Sequence, residues 1–497
     1  MKSDWATATR RDLLAGVTVA IVALPLALGF GVASGLGAAA GLVTAIVAGA
    51  VATVFGGSNL QVSGPTGAMT VVLVPIVAKY GHTGVLTVGL LAGLMLLALA
   101  FARAGRYVRY VPAPVIEGFT LGIAGVIALQ QLPAALGTPV PGHHVTMNAV
   151  RAAAEFARHP HWQPIALATG VVVIVLVGGR WRPGVPFSLV AVVTMTLAAT
   201  GMDVARIGSL PSALPAPSLE FLDLGAITAL LPSAVAVAAL AALESLLCAT
   251  VADAMHGRQR HNPDRELFGQ GLANVVTPLF GGVPATAAIA RTAVNVRTGA
   301  SSRLAALTHA VVLALIVLAA APLVAHIPLA VLAGVLIATA IRMVQFAAMR
   351  ALMRGGKADA LVFFLTAVTT LALDLVTAVI VGLVVASALA LRAVARSVQV
   401  SRTVLDEHTV EFRLNGPLFF GAAQRLLFAL ADVTHARVVV RMSEVTTVDG
   451  TGAQMLRDAV DQLRGRGVEV EIAGVRPEHC NKLAVYGVPI PQPTVLA

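Results

Sequence analysis

Gly281-Gly282-Val283-Pro284-Ala285-Thr286-Ala287-Ala288-Ile289-Ala290-Arg291 closes one apolar run and opens another, and it has an echo in the first half of the chain. There Gly56-Gly57 precedes Ser58-Asn59-Leu60-Gln61-Val62-Ser63-Gly64-Pro65-Thr66-Gly67. In both places a glycine pair ends an apolar span, and a short extended stretch leads into a short helix. The first pair lies 44 residues after Asp12, and the second lies 49 after Pro232. Short, Gly/Pro-interrupted apolar segments at matching positions of two halves point to the binding site of a repeat-built transporter. The plainer reading, two ordinary re-entrant loops, leaves the double occurrence at similar spacing without a cause.

The rest of the chain supports a membrane reading. Of 497 residues 57% are apolar and only 12% are charged. Counting Gly and setting Tyr aside gives about 65% apolar, against roughly 45–50% in soluble domains. Mean hydropathy is +0.86. A soluble enzyme, a disordered chain and a fibrous protein are excluded, and a polytopic membrane protein remains. Apolar runs near 12–34, 37–55, 65–80, 84–102, 111–132, 163–178, 185–200, 225–252, 267–280, 288–300, 303–325, 328–344, 358–374 and 375–395 predict about fourteen segments. Several fall short of the roughly 20 residues of a full span. A signal peptide at the N-terminus is rejected, because the first apolar stretch is long and many more follow.

Charge orients these segments. With the N-terminus inside and spans alternating, inside segments collect Lys2, Arg10, Arg11, Arg103, Arg106, Arg109, Arg180, Arg182, Arg258, Arg260, Arg265, Arg297, Arg303, Arg342, Arg350, Arg354, Lys357, Arg392 and Arg396. Outside segments collect Lys79, Arg151, Arg158 and Arg206, and Arg291 belongs to neither group. This positive-inside bias places both termini in the cytoplasm. Seven spans per half would invert the second half, giving repeats of about 11–200 and 225–396. Residues 1–396 carry 24 Lys+Arg against 13 Asp+Glu, whereas 397–497 carry 10 against 11. The basic excess therefore follows topology, and no nucleic-acid partner is expected. From 397 the pattern changes to strands at 410–414, 438–442 and 468–472 alternating with helices at 422–431 and 452–463, a small α/β domain.

Several motifs resemble one family. Asp12-Leu13-Leu14-Ala15-Gly16-Val17-Thr18-Val19-Ala20 with Leu24-Pro25 resembles the first span of the SulP anion transporters (sulfate permease, or solute carrier 26, family). Val62-Ser63-Gly64-Pro65-Thr66-Gly67-Ala68 is similar to their third span, and Pro114-Val115-Ile116-Glu117-Gly118-Phe119-Thr120-Leu121-Gly122-Ile123 to their fifth. Gln270-Gly271-Leu272-Ala273-Asn274 and the stretch from Gly281 to Asn295 are similar to the region around the tenth. Gly416-Pro417-Leu418-Phe419-Phe420 and Asp449-Gly450-Thr451-Gly452 resemble the family's STAS domain. The resemblance covers nearly the whole chain. It implies inverted repeats of seven plus seven segments, a mobile core domain, a gate domain and a homodimer. It also implies a substrate between the third and tenth segments, at Leu26, Phe30, Gly64, Pro65, Thr66, Gly67, Ala288, Ile289, Ala290 and Arg291. Two of these depart from the family pattern: Leu26 stands where Gln is frequent and Ala290 where Ser is frequent, so both positions lack a hydrogen-bonding group.

The residues carry their own argument. Glu244 sits well inside an apolar helix, where an acidic side chain costs roughly 2.5–3.5 kcal/mol on insertion scales. A carboxyl that takes up and releases a proton is the functional expectation, and a permanently paired structural carboxylate is the alternative. Arg291 opens the short helix after the second glycine pair and is Glu244's expected partner. Two helix N-termini and one guanidinium form an anion site that needs no cysteine, metal or cofactor. The alternative for Arg291, a snorkelling arginine at the cytoplasmic end, competes with Arg297 and Arg303 for that role. Cys248 lies one turn beyond Glu244. Sodium-coupled relatives place an Asp and a hydroxyl residue at these two positions, and Glu with Cys suits a hard cation less well. Simple packing is the expectation for Cys248. Cys248 and Cys480 form no disulfide framework.

Other features weigh less. Glu117 is expected to stabilise a helix N-terminal turn, and Asp374 to lie at an outside turn. His143, His144, His159 and His161 share one outside loop, where solvated histidines are expected rather than a metal cluster. Thr451 is expected to cap a helix, although related STAS domains can be phosphorylated at such a residue. The sequence thus predicts a non-enzymatic, multi-pass secondary anion transporter of the inner or plasma membrane. Its expected cycle is symport of H⁺ with a dicarboxylate such as fumarate, with sulfate or with bicarbonate. Sodium-coupled bicarbonate symport is the rival within transport. An anion channel, or a membrane sensor signalling through the STAS domain to a cytosolic partner, are rivals from other classes.

Overall fold

The computed structural model describes residues 9–138, 140, 144–182, 185–211, 213–257, 260–373, 375–419, 430 and 433–489. The first compact unit covers residues 1–383 and the second 384–497, so the division falls inside a helix.

The first unit is helical because its apolar runs can satisfy their backbone groups internally, which a bilayer requires. In order it contains α1 (Arg10–Ala33), α2 (Ala38–Phe55), β1 (Ser63–Gly64), α3 (Gly67–Phe101), α4 (Ala113–Leu136), α5 (Val145–Arg158), α6 (Trp162–Trp181) and α7 (Phe187–Ala198). The second half contains α8 (Ile227–His256), α9 (Pro263–Val276), β2 (Thr286–Ala287), α10 (Ile289–Arg297), α11 (Arg303–Ala325), α12 (Leu329–Met343), α13 (Phe346–Gly355), α14 (Lys357–Ala372) and α15 (Leu375–Ser397). Among the described residues, nine helical stretches are long and apolar enough to cross a bilayer. α3 is broken at Gly81, whose φ of 69° and ψ of −169° leave the helical region, so it serves as two segments, 67–80 and 82–101. With that break the fourteen expected segments are present.

The two halves repeat in kind. In each, the third segment is short and follows a two-residue strand. In each, an amphipathic helix separates the fifth and sixth segments: α5 in the first half and α13 in the second. Hydropathy alone did not point to these two helices. β1 and β2 pair antiparallel, Ser63 opposite Ala287 and Gly64 opposite Thr286, as inversion of one half requires. α1 packs on α11, α2 on α9 and α11, and α3 on α8 and α9, while α4 packs on α12 and α14 and α6 on α12.

Buried polar groups tie the first of these groups together. Asp12, fully buried, accepts from Ser301 N at 2.7 Å and Ser302 N at 3.0 Å. Arg303 is 1% exposed. It donates to Thr53 O at 2.7 Å, Val54 O at 3.1 Å, Gly56 O at 2.7 Å and Asn59 Oδ1 at 2.8 Å. It therefore closes the C-terminal carbonyls of α2, which the helix cannot satisfy itself, and does not belong to the snorkelling cytoplasmic flank expected for it.

The second unit holds β3 (Gln399–Val404), β4 (Thr409–Leu418), β5 (Arg437–Val448), α16 (Gly450–Gly465), β6 (Glu469–Ala473) and α17 (Pro477–Val485). The sheet order is β3-β4-β5-β6, with β3 antiparallel to β4 and the other pairs parallel. β3 is an added edge strand, and the helix expected at 422–431 lies almost wholly outside the described residues. The cap of α16 is Asp449, whose Oδ1 accepts from Gly452 N at 2.6 Å. Thr451 instead stands exposed in the first turn, because Asp449, one residue before the helix, already reaches the free N–H.

Candidate binding site at the crossing strands

The site grows from α9. Glu266, Gln270 and Asn274 stand four residues apart and so share one helix face. Glu266 Oε2 accepts from Gly57 N at 2.8 Å and Ser58 N at 3.0 Å. Gln270 Nε2 donates to Ser63 Oγ at 2.7 Å and to Glu266 Oε1 at 2.9 Å. Asn274 exchanges two bonds with the Ala285 backbone, at 2.8 and 2.9 Å. One helix face thereby holds both approaches to the crossing strands, and the strands aim the N-termini of α3 and α10.

Those N-termini differ. Thr66 caps α3, its hydroxyl accepting from Met69 N at 3.3 Å, and Pro65, Thr66 and Gly67 are buried. Ala288, in the cap position before α10, offers no side-chain cap, and Ile289 and Ala290 are exposed. The small Ala290 leaves the N-terminal turn of α10 uncovered. Phe30 reaches the start of α3, since a Cβ added to Gly67 would meet its Cε1 at 3.1 Å. Leu26 is 7% exposed within the apolar core.

Arg291 is 1% exposed and donates from Nη2 to Pro65 O at 2.8 Å, crossing from the second repeat to the first. Gly64 makes room for it. At φ 151°, with the Arg291 Nη1 only 2.5 Å from where a Cβ would stand, Gly64 suits neither the conformation nor the bulk of another residue. Glu244 is half-buried on α8, and its Oε2 accepts from Thr66 Oγ1 at 2.9 Å and from Thr286 Oγ1 at 2.8 Å. One carboxylate oxygen therefore links β2 of the second repeat to the α3 cap of the first. Ser245 beside it accepts from Ala287 N at 3.3 Å.

Several expectations change here. Among the described residues Glu244 and Arg291 form no ion pair: hydroxyls hold the carboxylate, and the Pro65 carbonyl holds the guanidinium. Cys248 is buried with its thiol donating to Thr292 Oγ1 at 3.3 Å, so it is engaged with α10. Glu117 lies beyond the first turn of α4, in a cleft with Gln345 and Met349, because Pro114 already occupies the helix start. His144 precedes α5 while His159 and His161 follow it, about 20 Å away for a helix of that length. His143 and Asp374 lie outside the described residues. Thr286, Glu266 and His309 were not singled out by sequence. A hydroxyl residue beside a glycine pair, or a second carboxylate near a helix start, carries no periodic signal of its own.

The sulfate permease family model matches residues 10–366, and a STAS domain model matches 400–489. The chain belongs to the sulfate permease family. Among relatives, YvdB of Bacillus subtilis, named for sulfate transport, is 34% identical over 94% of this chain and 92% of its own length. The bicarbonate transporter BicA of Synechocystis is 33% identical over 93% of this chain and 88% of its own. The solved transmembrane domain of a cyanobacterial BicA superposes with a TM-score of 0.68, at 33% identity, over 76% of this chain and 97% of that one. The murine Solute Carrier 26 family member A9 anion transporter, inward-facing, shares the fold over 96% of this chain and 87% of its own, with a TM-score of 0.85 at 17% identity. Membership of this sulfate permease family makes the chain a multi-pass anion transporter rather than an enzyme.

Proposed function

We propose that the chain is a secondary active symporter that carries a small anion together with a proton by alternating access. The observation behind this reading is the meeting of two helix N-termini across β1 and β2, with Arg291 donating to Pro65 O at 2.8 Å and Glu244 bound to a hydroxyl from each repeat. Each helix start contributes roughly half a positive charge. With one guanidinium, the site offers about two charges, which suits a divalent oxyanion. Substrate-facing positions in this reading are Leu26, Phe30, Gly64, Pro65, Thr66, Gly67, Ala288, Ile289, Ala290 and Arg291. Bicarbonate, sulfate and a dicarboxylate such as fumarate are the substrates to compare.

Glu244 carries the proton. Ionised, it is acceptor-only and can hold both hydroxyls at one oxygen; protonated, it becomes a donor. With the proton on Oε2, that oxygen no longer accepts from both hydroxyls, and one threonine turns away, which loosens the tie between the repeats and permits movement. Residues 1–396 form the transport domain and 397–497 a cytoplasmic STAS domain, open to a cytosolic partner. The protein works as a homodimer in the inner or plasma membrane with both termini cytoplasmic.

Sodium-coupled bicarbonate uptake is the second reading. It draws on the oxygen-only set of Glu244, Thr66 and Thr286, since the Cys248 thiol is engaged elsewhere. Uptake of radiolabelled sulfate, bicarbonate and fumarate into proteoliposomes, under proton and sodium gradients imposed separately, tests both. Accumulation driven by the proton gradient alone supports the first reading, and accumulation driven only by sodium overturns it.

A further inference from the structure

Two fully buried cationic or potentially cationic side chains stand near each other with nitrogens left over. His309, on α11, is 0% exposed, and neither ring nitrogen has a hydrogen-bond partner among the described residues. Arg291, 1% exposed, uses Nη2 on Pro65, while its Nε and Nη1 have none.

Both lie along one face of α2 where β1 crosses it. The point where a Cβ on Gly64 would stand is 2.5 Å from Arg291 Nη1 and 3.3 Å from Ala45 Cα. The corresponding point on Gly49 is 3.4 Å from Ser63 O and 3.9 Å from His309 Cε1. Ala45 and Gly49 are four residues apart on α2, hence neighbours roughly 6 Å apart, and Ser63 and Gly64 are adjacent. The two side chains therefore flank one peptide unit of β1.

Their chemistry is complementary, but no direct hydrogen bond joins them among the described residues. A guanidinium only donates, and a neutral imidazole offers one donor and one acceptor. A water accepts from the first and donates to the second, and two hydrogen bonds of about 2.9 Å span roughly 5.8 Å. Buried waters occur where several polar groups converge in this way. We infer that bridging water joins His309 to Arg291, making His309 a positioning residue that fixes the guanidinium from behind. This rests on the reading of Arg291 as the anion's ligand. A guanidinium fixed on two sides presents its charge to the anion with less freedom to lose on binding.

The test uses the full chain in lipid nanodiscs. ¹⁵N-histidine spectra, with the His309 signal assigned by its loss in His309→Asn, report whether the ring accepts a hydrogen bond. The expected result is a hydrogen-bonded acceptor nitrogen in wild type that loses that bond in Arg291→Met; an unchanged spectrum overturns the link. Sulfate affinity is measured in parallel. His309→Leu is expected to weaken binding roughly 10-fold, His309→Asn to recover most of it, and His309→Leu to add little in an Arg291→Met background. Independent effects in that background overturn the proposal even if one single variant proves unstable, because the spectra still decide. If Arg291→Met leaves sulfate affinity intact while the histidine signal responds, the water link stands and the anion reading falls.

Discussion

A single methyl group at Gly64 should disable the site. Gly64→Ala puts a Cβ 2.5 Å from Arg291 Nη1 and 3.3 Å from the Ala45 backbone. α2 cannot give way, so the guanidinium must move by close to an ångström to reach ordinary contact. Its 2.8 Å bond to Pro65 O then passes beyond hydrogen-bonding range. A hydrogen bond from a charged donor contributes about 1.5–3 kcal/mol, equivalent to a loss of roughly 10- to 100-fold in anion affinity. Alanine at φ 151° adds backbone strain of about 1–3 kcal/mol to the folded state. Gly281→Ala separates the two effects, because Gly281 has φ 74° but open space where a Cβ would go. Calorimetric titration with sulfate and thermal unfolding are measured on both. The expected outcome is a lower unfolding temperature in both, with affinity lost only in Gly64→Ala. Wild-type affinity in Gly64→Ala would refute the argument that Gly64 exists to seat Arg291.

Three other outcomes follow from named contacts. Thr286→Val removes one of the two hydroxyls on Glu244 while keeping the side-chain shape, and should reduce proton-driven accumulation while leaving anion exchange largely intact, measured by uptake against counterflow. Arg303→Met leaves the Thr53, Val54 and Gly56 carbonyls short of a donor, at about 1–3 kcal/mol for each buried orphan, and should sharply lower the yield of folded protein by size-exclusion chromatography. In the STAS unit the Arg441 hydrogen bond, and then Arg413, hold the Glu411 carboxyl below its usual range. That stabilisation is present above about pH 4 and is lost as pH falls through the depressed value. Hydrogen-exchange protection of β4 and β5 in the full chain should therefore fall below about pH 4, and Glu411→Gln should flatten the dependence.

What was legible in the sequence was mostly local. Apolar runs long enough to span, the glycine pairs and the change of pattern near 397 each lie in consecutive residues, and each corresponds to an element in the structure. The break at Gly81 was legible too, as a gap between two apolar runs. α5 and α13 escaped because their helical signal is a stripe rather than a run: Arg350 and Arg354 alternate with Phe346, Met349 and Met353, so mean hydropathy stays low. β3 escaped because an exposed edge strand has no buried face to pattern. The site's partners were the least legible. Thr66 and Thr286 meet at Glu244 only because two repeats cross, and Arg303 reads as a flanking charge until α2's last carbonyls come to meet it.

Arg291 is the residue on which the account turns, and its most direct test is anion affinity in purified wild type and Arg291→Ala, measured with sulfate and bicarbonate at one pH. Two helix starts alone roughly balance a single negative charge. The account therefore predicts that Arg291→Ala weakens sulfate binding by up to about 100-fold and bicarbonate binding less, with Arg291→Lys recovering only part of the sulfate loss because an ammonium lacks the planar fork. An Arg291→Ala protein that binds sulfate as tightly as wild type would contradict it and move the anion site away from the crossing strands.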